Sequence, residues 1–119
     1  MYPTFLDVEA GISFCDNDEE FYREMLATYV EGDKYEMLQE AFDKGDFDTY
    51  RRLVHSIKST SLMIGAKDLY SYAKRIEDSL LGGNQSYAKQ EYHTFMKSYH
   101  EVIAILQVYL EMSVGDEEK

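Results

Sequence analysis

Tyr50-Arg51-Arg52-Leu53-Val54-His55-Ser56-Ile57-Lys58-Ser59-Thr60-Ser61-Leu62-Met63-Ile64-Gly65-Ala66 is the stretch that decides the reading of this chain. Its apolar residues recur with the period of an α-helix. At ~100° per residue, Leu53, Val54, Ile57 and Ile64 fall on one face, with Tyr50 and Ser61 between them. Gly65 terminates the run, as a glycine does at a helix end. His55 points roughly 140° away from the centre of the apolar face. Lys58 follows at i+3, within side-chain reach. Ser59, at i+4, is small and leaves the next turn open. An outward histidine beside a fixed ammonium, on a helix anchored by its other side, suits an imidazole that accepts phosphate.

Helical periodicity continues on both sides of this run. No Asn-Gly or Asp-Gly dipeptide separates alternating apolar runs, so strand signals are weak. A short helix is expected from about Asp7 to Ile12. Asp16 or Asn17 is expected to cap the next, with Glu19 and Glu20 favouring its positive dipole end. Phe21, Met25, Leu26, Tyr29 and Val30 line one side of it, and Gly32 ends it. Asp33 starts a helix carrying Tyr35, Leu38, Ala41 and Phe42, which Lys44-Gly45 closes. Asp46 or Asp48 starts the His55 helix. The next carries Leu69, Tyr72, Ala73, Ile76 and Leu80 and stops at Gly82-Gly83. The last holds Tyr92, Phe95, Met96, Tyr99, Val102, Ile103, Leu106 and Leu110 in one stripe, to about Met112. Residues 115–119 form a charged tail that is expected to fray. Short connections between long helices favour antiparallel neighbours. The expected fold is therefore all-α: a single domain over residues 1–119, an antiparallel up-down-up-down four-helix bundle with short additional N-terminal helices. Most tyrosines and phenylalanines belong to its core and boundary.

The chain of 119 residues is 45% apolar, as a folded domain is, and carries a net charge of −11. That balance argues against nucleic acid and anionic membranes as partners. The charge is uneven. Between Thr49 and Ile76 lie Arg51, Arg52, Lys58, Lys67, Lys74 and Arg75 against the single acid Asp68, a net +5, which leaves −16 for the remainder. The outward histidine sits on this basic hairpin, where a local field would tolerate phosphate and attract an acidic partner site. No run approaches ~18 apolar residues, and the N-terminus lacks the basic and apolar regions of a signal peptide. The lone Cys15 can make no internal disulfide, so a reducing cytoplasm is expected. Its acidic neighbours Asp16, Asp18, Glu19 and Glu20 disfavour a nucleophilic thiolate.

His55-Ser56-Ile57-Lys58-Ser59, followed by Gly65-Ala66, resembles the histidine-x-x-lysine-glycine…glycine-alanine motif of histidine-containing phosphotransfer domains, the intermediates of two-component phosphorelays. Gly11-Ile12…Asp16 to Glu31 resembles that family's first long helix and its lead-in. Ile76-Glu77 resembles the position on the following helix whose Glu or Gln supports the histidine. The family usually has glycine where this chain has Ser59, which narrows the wall of the site. The resemblance implies a phosphocarrier without kinase activity, taking phosphate on His55 from a receiver-domain aspartyl phosphate and passing it reversibly to another receiver. Glu77 would orient the histidine, and Lys58 would neutralise phosphoryl oxygens. The partners implied are receiver domains of hybrid histidine kinases and response regulators. Mg²⁺ would sit on the receiver, and no cofactor on this chain.

Arg51 shares the His55 face. Leu62, at i+7 from His55, lies ~120° from the core centre by the same arithmetic and is a candidate docking residue. Ile12 and Phe14 would extend that apolar patch, and Gly65 would leave room at the tip for a partner. With that face open, a monomer is expected. The lack of Pro/Ser-rich linkers favours a free-standing protein. Two rival readings use the same helices. One is an interaction module whose histidine docks without being phosphorylated. The other is a metal-binding bundle, which needs Glu-x-x-His pairs on facing helices, and no such pair occurs. His93 and His100, at i and i+7 and ~10.5 Å apart along a helix, lack the ligands that would complete a metal site.

Overall fold

Asp46 opens the helix that carries His55: its carboxylate accepts a hydrogen bond from Thr49 N at 3.2 Å. That helix, α4, spans Phe47–Ile64. The computed structural model describes residues 6–117, with side chains for 6–111. Around α4 stand α1 (Val8–Phe14), α2 (Glu19–Glu31), α3 (Tyr35–Asp43), α5 (Lys67–Leu81) and α6 (Gln85–Glu117). Among the described residues the chain is all-helical and contains no strand. α5 lies along α4 and against α6, α2 packs on α6, and α1 and α3 lean on α4.

The period read from the α4 sequence matches its burial. Tyr50, Val54, Ile57, Ser61 and Ile64 are buried, and Leu53 is half-buried against the core. Ser61 is tolerated inside because its hydroxyl is hydrogen-bonded to Tyr29 OH at 2.9 Å. The rings of Phe42, Phe47, Tyr50, Tyr92 and Phe95 pack as one aromatic cluster beside the first half of α4. This core fixes the rotation of α4 and therefore aims His55 outward.

Several boundaries differ from the sequence expectation. α1 runs two residues further, to Phe14, with Asp7 as its cap. Asp18 caps α2, in place of Asp16 or Asn17. Those two residues adopt the left-handed conformation (φ 58° and 61°) and turn the chain between α1 and α2, which short Asx side chains tolerate. Asp33 accepts from Tyr35 N at 3.0 Å, but the residue at the cap position of α3 is Lys34. α6 continues to Glu117, beyond Met112 where the apolar stripe stops. Of the expected charged tail, residues 118 and 119 lie outside the described residues.

The end of α4 is tightly built. Gly65 takes the left-handed conformation (φ 91°), and the N–H groups of Gly65 and Ala66 return to Leu62 O and Ser61 O. Asp7 N donates to Gly65 O at 2.7 Å, and Tyr22 OH donates to Ile64 O at 2.7 Å. A Cβ on Gly65 would lie 1.9 Å from Asp7 O. A Cβ on Gly11 would lie 2.3 Å from the Tyr22 ring. The room expected at Gly65 for a partner is thus occupied by the chain's own N-terminal segment, and Gly65 is buried.

Candidate functional site

His55 and Glu77 meet across the α4–α5 seam. The turn at Gly65-Ala66 brings α5 back along α4, which places residues 22 positions apart in sequence side by side. His55 Nδ1 lies 2.5 Å from Glu77 Oε2. The other carboxylate oxygen, Oε1, lies 2.6 Å from Lys58 Nζ. Exposure is steeply graded across the three: the His55 side chain is 58% exposed, Lys58 23% and Glu77 6%. Burial pushes the Glu77 carboxyl up, but hydrogen bonds and charge from Lys58 and His55 outweigh it, and the net shift is downward. The hydrogen bond to Glu77 holds the Lys58 ammonium above its ordinary value despite partial desolvation.

This geometry selects a tautomer. An ionised carboxylate can only accept, so Nδ1 carries the proton and donates it to Glu77. Nε2 then keeps its lone pair and has no hydrogen-bond partner among the described residues. An exposed ring nitrogen with a free pair, held in a fixed orientation by a buried acceptor, can act as a nucleophile toward an electrophile arriving from outside.

The basic hairpin is more neutral than its sequence window suggests. Arg51 and Arg52 both engage Asp48, at 3.2 and 3.1 Å. Lys67 pairs with Asp7 at 2.7 Å, Lys74 with Asp78 at 3.1 Å, and Lys58 with Glu77. Arg75 lies over the Tyr72 ring at 6.0 Å. Five of the six cations therefore hold acids that lie outside the 49–76 segment. The expectation of a strong local positive field is corrected accordingly. The Asp48 contacts could have been read from i+3 and i+4 spacing. The Asp7 and Glu77 contacts join residues distant in sequence, with no local signal.

The remaining site residues scatter around this centre. Ser59 is exposed on the turn after His55, as its position predicts. Leu62 is half-buried, and Met63 beside it is 40% exposed. Ile12 packs partly against the core, whereas Phe14 is 58% exposed at the end of α1. Tyr70, not singled out by the sequence reading, lies close enough to Lys58 to act on its charge. Cys15 is buried with its thiol 3.2 Å from the Met25 sulfur; burial and then Asp18 push that thiol up, so it stays protonated. His93 and His100 stand exposed on α6 against the rings of Tyr92 and Tyr35. Among the described residues no three His, Cys, Asp or Glu side chains converge to hold a metal, and no helix is long and apolar enough to cross a membrane.

The sequence profile of the Hpt domain matches residues 23–111, from α2 through the described side chains of α6. The match contains His55, Lys58 and Glu77, and covers most of the chain. The chain belongs to the Hpt domain family. Hpt domains are histidine phosphocarriers of two-component phosphorelays, are not kinases, and interact with receiver domains. The lead-in before α2, with Ile12 and Phe14, lies ahead of the matched residues. No curated protein and no solved structure matches the chain.

Proposed function

We propose that this protein is a phosphorelay intermediate that takes phosphate on His55 from a receiver-domain aspartyl phosphate and returns it to the aspartate of another receiver. Nε2 attacks phosphorus, the acyl P–O bond breaks, and the carboxylate of the receiver leaves. The product is a phosphoramidate with the proton still on Nδ1. The ring then bears positive charge, which the Glu77 carboxylate faces. Because the phosphoramidate retains high transfer potential, the same steps run backwards to a second receiver. The observation that carries this reading is the contrast in exposure between the His55 ring and the Glu77 carboxylate that holds it.

In this reading Lys58 carries a donor to the incoming phosphoryl oxygens, since an ammonium has three N–H groups and Glu77 uses one. Ser59 forms the near wall. Arg51, Leu62, Ile12 and Phe14 contribute to docking, with Gly65 left out for the reason given above. Mg²⁺ belongs to the receiver. The accompanying scaffold is an antiparallel up-down-up-down bundle of α2, α4, α5 and α6, supported by the short turns and by the packing of α5 on α4 and α6. A monomer in the cytoplasm fits the exposed ring and the lone buried thiol. The test is transfer in both directions. Protein incubated with one phosphorylated receiver should gain label, and should then lose it to a second, unphosphorylated receiver. Binding to receivers with no label at any time would instead identify an interaction module.

A further inference from the structure

Glu77 is almost fully buried and serves two donors, each on its own oxygen. A carboxylate that dry needs a counter-charge nearby. Two groups could provide it. One is Lys58, a permanent cation at neutral pH. The other is His55, which could provide it only by taking a second proton. An imidazolium carries protons on both nitrogens and has no lone pair for phosphorus. The group that orients the nucleophile is therefore also the group best placed to disable it.

We infer that Lys58 is a positioning residue that acts on His55 through Glu77: its ammonium supplies the counter-charge, so the carboxylate orients the ring without converting it to imidazolium. Lys58 thereby has a task in the resting protein, before any phosphate arrives. The consequence for transfer rests on the reading of His55 as phosphoacceptor, but the electrostatic claim does not. The surroundings leave Lys58 as the group suited to this task. On α5, Asp78 is paired with Lys74 at 3.1 Å. Tyr70 of α5 lies close enough to Lys58 to act on its charge. On α4, Arg51 and Arg52 are both engaged by Asp48. α1, α2 and α3 also lie against α4, and among the described residues none places an ionisable side chain within hydrogen-bond reach of His55.

The test is a proton-NMR titration of the His55 ring in the unphosphorylated protein and in four variants. Lys58→Met keeps the aliphatic stem packed while removing the charge. Its ring midpoint should move to higher pH, and Lys58→Arg should restore it. In a Glu77→Gln background, adding Lys58→Met should produce no upward shift. Labelling by phosphoramidate, a small donor that needs no docking, should fall at pH 7 in Lys58→Met in step with the neutral fraction of the ring, by at most about tenfold for each unit the midpoint moves. It should recover as pH rises. An unmoved midpoint in Lys58→Met would overturn the inference. So would an upward shift that persists with Glu77→Gln, because Lys58 would then act on the ring directly. The titration needs no phosphate, so its failure leaves the phosphoacceptor reading standing. Failure to label His55 despite the expected titration would remove the phosphotransfer reading alone.

Discussion

The α4–α5 seam and the outer face of α6 both present exposed histidines, yet only one of them has an acid behind it. His55 is held by a buried carboxylate from the neighbouring helix. His93 and His100 rest edge-on against tyrosine rings, with no ion pair among the described residues. An aromatic edge fixes neither the tautomer nor which nitrogen faces solvent, whereas a carboxylate fixes both. What sets His55 apart is thus the returning helix as much as the histidine. α5 supplies the orienting acid, and the turn at Gly65 sets the register that delivers it.

The largest effect expected follows from this contrast. His55→Gln should abolish labelling by a phosphorylated receiver, while His93→Gln and His100→Gln should retain it. Autoradiography of the three variants beside the parent decides it. A substantial residual signal on His55→Gln would erase the difference between the two regions.

The next effect concerns the turn. Gly65→Ala would force a side chain into the left-handed region and against Asp7 O. The expected cost is about 3 kcal/mol, from ~1–3 kcal/mol of backbone strain and ~1–3 kcal/mol of overpacking. Gly45 also has positive φ (71°) but meets nothing within 4 Å. Gly45→Ala should therefore cost only about 1 kcal/mol. Thermal melts of the two variants give the comparison. Similar losses would mean that Asp7 does not anchor the end of α4.

A smaller effect should appear in acid. The Glu77 carboxyl titrates below its unfolded value of 4.5. As pH falls through that range the unfolded chain binds the proton first. The contribution of Glu77 to stability is fully present above pH 4.5 and is lost as pH drops through the folded value. Denaturant titrations should show a shallower acid loss in Glu77→Gln than in the parent. Identical slopes would mean the site's ion pairs do not couple to folding.

The smallest effect is at Ser59. Ser59→Gly should cost up to about 1 kcal/mol of helix stability. If the hydroxyl only narrows the site, the variant should transfer faster, as quench-flow with one receiver would show. Slower transfer would show that the hydroxyl assists.

Much of this arrangement is legible in the sequence, for identifiable reasons. The buried face of α4 follows from period alone, since Tyr50, Val54, Ile57, Ser61 and Ile64 repeat at helical spacing. The outward angle of His55 follows from the same arithmetic. The α2 cap was displaced because Asp16, Asn17 and Asp18 are adjacent and all can cap; tertiary position chose Asp18 and left the other two to form the turn. The role of Gly65 was misplaced because its crowding comes from Asp7, 58 residues earlier. A glycine that ends a helix looks the same in sequence whether the space beside it is open or filled. The charge window misled for a related reason. It began one residue after Asp48 and ended one residue before Glu77, and those two acids hold three of its six cations.

In the proposed function, phosphate resides on Nε2 of His55. The direct measurement is to phosphorylate the protein from a labelled receiver, map the modified residue by mass spectrometry, and assign the nitrogen by ¹⁵N–³¹P coupling. One phosphate is expected, on His55 Nε2, lost in acid and retained in base as a phosphoramidate is. Phosphate on another residue, on Nδ1, or in an acid-stable linkage would contradict it.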